Sequence, residues 1–186
     1  RSDLTMPRNR VFAELNWLPG VSPRKVALLV SQLKTSDKDL YSVEGIPDLA
    51  RINILMELLN TEHIKFNNNE LEEIIVNIVY DFENLDIDEI IRDINEDRTV
   101  SGFPEVNDYE LVENHLVEKK RSCVKLILKC LNNLDTKHLI DIMTRIVDEE
   151  TANGEIQASS MIEDLVDDYK LHTQNFLEQE FEKIKK

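Results

Sequence analysis

Chain breakers are scarce here: four glycines and five prolines among 186 residues. So few breakers exclude an architecture of many short strands and tight hairpins, and long helices become the expectation. Cysteine is scarcer still. Cys123 and Cys130 stand seven apart in a strongly helical stretch, roughly 10 Å along the axis. That is too far for a disulfide within one helix, so reduced thiols in a cytoplasmic setting are expected. No CxxC pair or histidine at zinc spacing accompanies them, and both read as core fillers. No apolar run reaches membrane-spanning length and no signal peptide is recognisable, so no membrane contact is expected. HExxH, a repeated ExxH, GxSxG, the P-loop and the dinucleotide glycine pattern are all missing. With 37 Asp and Glu, chance carboxylate pairs abound and none stands out as an acid–base couple. The chain is therefore expected to be no enzyme, with no metal site and no cofactor.

What is present is charge and helical periodicity. The net charge is −15, and 32% of residues are charged against 41% hydrophobic. That balance suits a globular helical protein and is too apolar for disorder. The charge is uneven: residues 1–34 hold six Arg and Lys against two Asp and Glu. So acidic a remainder argues against general binding to a phosphate backbone, and nucleic acid is not the expected partner. The chain opens on Arg1 and its last helical pattern runs to Lys186. A segment of a longer protein is the expectation.

Apolar residues recur at three and four throughout, which predicts an all-α fold. Pro7 opens a short helix to about residue 17. Ser22 and Pro23 start a second, carrying Val26, Leu29, Val30 and Leu33. A linker with a turn near Asp37–Tyr41 leads to a helix opened by Pro47. Asn68 or Asn69 is expected to cap the next, whose stripe is Leu71, Ile74, Ile75, Ile78, Val79 and Phe82. Asp86 caps another, with Ile87, Ile90, Ile91 and Ile94. After the Ser101–Pro104 breaker, Asn107 or Asp108 begins a long helix with the seam Tyr109, Val112, Leu116, Cys123, Ile127, Cys130 and Leu134. Asp135 caps a further helix that ends at Asn153-Gly154. Residues 157–186 form the last. Short connections in this half favour long antiparallel helices. The expected organisation is an N-terminal helical subdomain over 1–100 and a long-helix bundle or hairpin over 101–186.

Several clusters invite a functional reading. In Leu18-Pro19-Gly20-Val21-Ser22-Pro23-Arg24-Lys25, a helix N-terminus and two cations stand beside a Pro-Gly turn, the chemistry of a phosphate site. Gly20, Ser22, Arg24 and Lys25 are the residues of that nucleic-acid alternative. An ordinary turn before a Ser-capped helix is the competing reading. Asp93, Asn95 and Asp97 fall at the first three ligand positions of a calcium loop, but Arg98 and Pro104 replace the required Gly and Glu. The same segment places Glu96 and Asp97 near a helix C-terminus, against the dipole. With Arg98 and Phe103 it forms one candidate partner-binding surface, a salt-bridged connection being the alternative. Arg121, Lys125 and Lys129, after Lys119 and Lys120, form a basic stripe read as a solvated face, a match for the chain's own acidic helices at 81–97, or a dock for an acidic partner. The last helix carries Phe176, Leu177, Phe181 and Ile184. Phe176 and Phe181 are candidates for a partner helix or an oligomer seam.

Two resemblances bear on function. The turn at residues 18–27 resembles the hairpin of helix-hairpin-helix DNA-binding modules, with Ser22 in place of that pattern's second glycine. The string Leu4-Thr5-Met6-Pro7-Arg8-Asn9-Arg10 resembles the L-x-D-P-x-x-R turn between the third and fourth helices of a J-domain. This likeness to DnaJ-type and HscB-type co-chaperones covers about 15 residues. It implies the helical region after a truncated J-domain, binding a client or partner of an Hsp70 system. No His-Pro-Asp occurs, so this stretch alone is not expected to stimulate Hsp70. The leading expectation is a non-catalytic protein-interaction module.

Overall fold

The computed structural model describes residues 7–185, apart from the side chains of His172 and Phe176. The candidate Phe176 and the Leu4–Met6 part of the J-domain-like string lie outside the described residues. Among the described residues the fold is all-α, as the periodicity predicts. Eight helices run in order: α1 (Pro7–Leu15), α2 (Pro23–Lys34), α3 (Asp48–Asn60), α4 (Asn68–Glu83), α5 (Ile87–Ser101), α6 (Tyr109–Asn132), α7 (Thr136–Glu150) and α8 (Ser160–Lys185). A 3-10 turn over Lys38–Ser42 fills the linker before α3.

Side chains at the helix ends explain most boundaries. Ser22 Oγ accepts the Lys25 N–H at the start of α2. The Asp86 and Asp135 carboxylates accept backbone N–H groups at the starts of α5 and α7. One start differs from the expectation. Asn67, not Asn68 or Asn69, caps α4, and it does so as one half of a reciprocal pair with Glu70 three residues on. Its Oδ1 accepts the Glu70 N–H at 2.8 Å, and the Glu70 carboxylate accepts the Asn67 N–H at 3.0 Å.

The chain divides into two compact units, residues 1–123 and 124–186. The division falls inside α6 rather than at the breaker after residue 100. Val106, Val112 and Leu116 share one buried cluster with Val11, Leu15, Leu49, Ile90, Ile91 and Ile94, which ties the start of α6 to the first unit. At the centre of that unit α3 packs along α4. Leu49, Ala50, Ile52, Ile54, Leu55 and Leu58 bury α3 on nearly all sides, the mark of a core helix rather than a surface one. In the second unit α7 contacts α8, and Leu139, Ile142, Met143, Ile146, Met161, Ile162 and Leu165 are buried. The seam expected for α6 shifts slightly: Tyr109 is exposed, Cys130 half-buried and Leu131 fully buried.

The first unit also buries charge. Asp81 is 0% exposed. Its carboxylate takes a two-pronged pair from Arg51, with Nε at 2.6 Å and Nη2 at 2.5 Å. Burial pushes the Asp81 carboxyl up to about 6 against the lowering by Arg51.

Candidate functional site

The site is built around the end of α5. Gly102, at φ 76°, closes that helix in the left-handed region. The Phe103 N–H returns to the Arg98 carbonyl and the Gly102 N–H to the Thr99 carbonyl, a complete Schellman turn. Asn95 then pins the chain beyond. Its Oδ1 accepts the Val106 N–H at 2.7 Å and its Nδ2 donates to the Val106 carbonyl at 3.1 Å. Asn95, which fits a calcium-ligand position in the sequence, is therefore a loop clamp.

Arg98 ties three segments together. Nε and Nη2 donate to both oxygens of Glu14 on α1 at 2.6–3.1 Å, and Nη1 donates to the Pro104 carbonyl at 2.8 Å. Proposed from sequence as a partner-binding residue, Arg98 is buried and spends its guanidinium on this internal network. Phe103 lies under Arg10, whose guanidinium carbon is 3.3 Å from the ring centroid.

An open groove of about 1110 Å³ runs between α1, the 103–108 loop and the first turns of α6. Val11, Val106 and Leu111 supply apolar lining, Arg8 and Arg10 a basic side, and Glu105 and Glu110 an acidic one. Asp108, also in the lining, is occupied at the helix start, where its Oδ1 accepts the Leu111 N–H at 2.9 Å. Phe103 and Arg98 are the sequence candidates that line this groove; Asp93 and Asp97 line other surface. Asp97 is exposed, with burial, then Glu14 and Glu96, pushing its carboxyl up. Asp93 borders a smaller pocket of about 250 Å³ with Asp48, Asp86 and Glu89. Burial raises the Asp93 carboxyl as well.

Asp93 also decides the geometry at residue 20. Gly20 adopts φ +78°, and a Cβ there would stand 2.6 Å from Asp93 Oδ2 and 2.9 Å from the Pro47 ring. The missing side chain makes room for the protein's own carboxylate. A phosphate approaching the Gly20 backbone would meet that negative charge. Ser22 is spent on capping α2, Arg24 is exposed and Lys25 half-buried. Of the four residues of the nucleic-acid alternative, Gly20 and Ser22 are thus committed to contacts within the protein.

One cluster escaped the sequence reading. Lys119, grouped there with a solvated stripe, is 9% exposed. Its Nζ donates to the side-chain oxygens of Asn16 and Asn53, both at 2.7 Å. Asn53 Nδ2 in turn donates to the Leu15 and Trp17 carbonyls, satisfying the end of α1. His115 Nε2 stands 3.0 Å from Asn16 Oδ1, and its ring stacks on Phe12 at 4.7 Å. Burial pushes the Lys119 ammonium down to about 8. Burial and then Lys119 lower the His115 imidazole. The cluster is a tie between α1, α3 and α6. Arg121, Lys125 and Lys129 keep the exposed face expected of them.

In the second unit Leu171, Leu177, Phe181 and Ile184 are exposed, Phe181 at 63%. At 100° per residue, Leu177, Phe181 and Ile184 lie roughly 120° around α8 from Met161, Ile162 and Leu165. They form a second apolar face. No group of three His, Cys, Asp or Glu that could hold a metal ion occurs among the described residues. No described helix is long and apolar enough to cross a membrane. No family model, curated protein or solved structure matches this chain.

Proposed function

We propose that this chain is a non-catalytic protein-interaction module that receives a segment of a partner protein in the groove between α1 and residues 103–111. The observation that carries the reading is the groove itself. It is large, half apolar, and walled by a loop held rigid through Asn95 and Arg98. A preformed cleft with a few fixed polar groups suits docking of a peptide segment, because little ordering entropy is lost on binding. Phe103, stacked under Arg10, offers an aromatic and an arginine, residue types enriched at interfaces.

A finer form, the partner-binding region of a J-domain-like co-chaperone, rests on the Leu4–Arg10 string alone. The coding sequence upstream of Arg1 tests it: a His-Pro-Asp loop there supports it, and its absence removes it. The helix-hairpin-helix alternative has Asp93 beneath Gly20 and a net charge of −15 against it, and a gel shift with no salt-dependent DNA binding would remove it.

The groove reading is tested by selecting a displayed peptide library on the whole chain. Selected peptides should lose most of their affinity for Phe103→Ala and keep it for a control on the exposed side of α4, Glu73→Ala. Failure to select any peptide, or peptides indifferent to Phe103→Ala, contradicts the reading.

A further inference from the structure

We propose that the segment received by the groove is bipolar: an apolar anchor flanked on one side by a carboxylate that meets Arg8 and Arg10, and on the other by a cation facing Glu105 and Glu110. The proposal rests on the groove reading and names its occupant's chemistry.

Counter-ions are short on α1. Glu14 serves two guanidiniums. Arg98 holds both of its oxygens at 2.6–3.1 Å. Arg10 is left with its Nε 3.6 Å from the same carboxylate, beyond hydrogen-bond reach. That Nε is buried and has no acceptor. Phe103 covers one face of the Arg10 guanidinium at 3.3 Å, and the side chain keeps 36% exposure, so the terminal Nη1 and Nη2 groups, not the buried Nε, are left for an incoming acceptor. A planar fork of N–H donors is what a carboxylate matches best. Arg8, two residues earlier and on the other flank of α1, adds a second cation to the groove lining, exposed and with its guanidinium carbon 5.5 Å from the Phe12 ring centroid.

The 105–110 segment of the lining carries the opposite charge to α1. Glu105 and Glu110 line that side, while Asp108 is occupied with the Leu111 N–H. An occupant that is acidic throughout would be repelled by this second wall, and one that is basic throughout by the first. Apolar lining from Val11, Val106 and Leu111 suits a single aliphatic or aromatic anchor. Opposite charges on the two walls therefore fix the direction in which the segment lies, and charge complementarity of this kind governs specificity and register more than raw affinity.

The experiment uses the whole chain and fluorescently labelled peptides carrying the library-selected anchor. Each is made in three forms: Asp before and Lys after the anchor, the neutral Asn and Gln form, and the charge-reversed form. Binding is read by anisotropy at low salt. The Asp/Lys arrangement in one direction should bind about tenfold tighter than the neutral form, the scale of one charge-assisted contact. Arg8→Glu with Arg10→Glu should turn that preference toward the charge-reversed peptide. Circular dichroism checks that the double variant folds; Arg8→Glu alone, at an exposed position, should shrink the preference several-fold with the fold intact. Equal binding of charged and neutral peptides overturns the bipolar occupant and leaves the groove reading standing. A charge preference untouched by both Arg variants also overturns it. No binding in any form overturns the groove reading and this proposal together.

Discussion

Residues 7–123 bury Asp81, Arg98 and Lys119, whereas in the described part of 124–186 Thr151 is the buried polar side chain. The partners differ in the same way. Asp81 meets Arg51 across 30 residues, Arg98 meets Glu14 across 84, and Lys119 meets Asn16 across 103 and Asn53 across 66. Thr151 Oγ1 donates to the Val147 carbonyl, four residues away. The first unit thus fixes its helices relative to one another through long-range polar contacts, and the second through apolar stripes and local turns. Buried polar pairs add little net stability, but they penalise any arrangement that leaves them unpaired. A groove with defined walls is what such fixing produces: Arg98 and Asn95 hold the loop that frames it.

This contrast can be broken from the largest expected effect downward. Arg51→Met should destabilise the fold by about 3 kcal/mol or more in urea unfolding, since it strands a carboxylate in the core. Replacing both partners, Arg51→Met with Asp81→Leu, should recover most of that loss. If the single and double variants are equally unstable, the pair is not the source.

Lys119 supplies a pH test. Its folded-state pKa, about 8, lies below the ordinary lysine value, so the fold favours the neutral amine. The stability linked to this group is therefore present at high pH and is lost as pH falls from about 10.4 to 8. The wild type should gain up to about 3 kcal/mol relative to Lys119→Met across that window. Parallel stability curves would show that the amine is solvated.

Gly20→Ala should cost about 2 kcal/mol, because it forces a side chain into a left-handed backbone and against Asp93 and Pro47. Asp93→Ala in the same background should return part of the loss by removing the nearest clash. In the second unit, Phe181→Glu and Leu177→Glu should change stability by less than about 0.5 kcal/mol, because both side chains are exposed. A larger loss would place them in a packed interface.

The sequence made the helices legible for a physical reason. Periodicity at three and four, and Asp or Ser at helix starts, are local signals, and α2, α5 and α7 begin where Ser22, Asp86 and Asp135 predict. Asn67 is the near miss, because three adjacent asparagines compete and both Asn67 and Asn69 have a glutamate three residues on. Asn153 and Gly154 take positive φ, as the left-handed signal beyond α7 predicts. The groove was half legible. Arg98 and Phe103 stand out beside the broken dipole rule at Glu96 and Asp97, and Asn95 stands out for a ligand role that it spends instead on clamping the loop. The parts of Arg10 and Glu14 are not legible, since they depend on contacts across the fold. Lys119 looked like one more surface lysine until α1 and α3 each brought an asparagine to it. Nothing local distinguishes Asp93 as the group behind Gly20.

The most direct test of the groove is a backbone amide chemical-shift map of the whole chain during titration with a library-selected peptide. Saturating shifts concentrated at residues 8–14 and 103–114, with α8 unmoved, are the predicted result. Shifts gathered on Leu177–Ile184 or on Gly20–Lys25, with residues 103–114 silent, would contradict it.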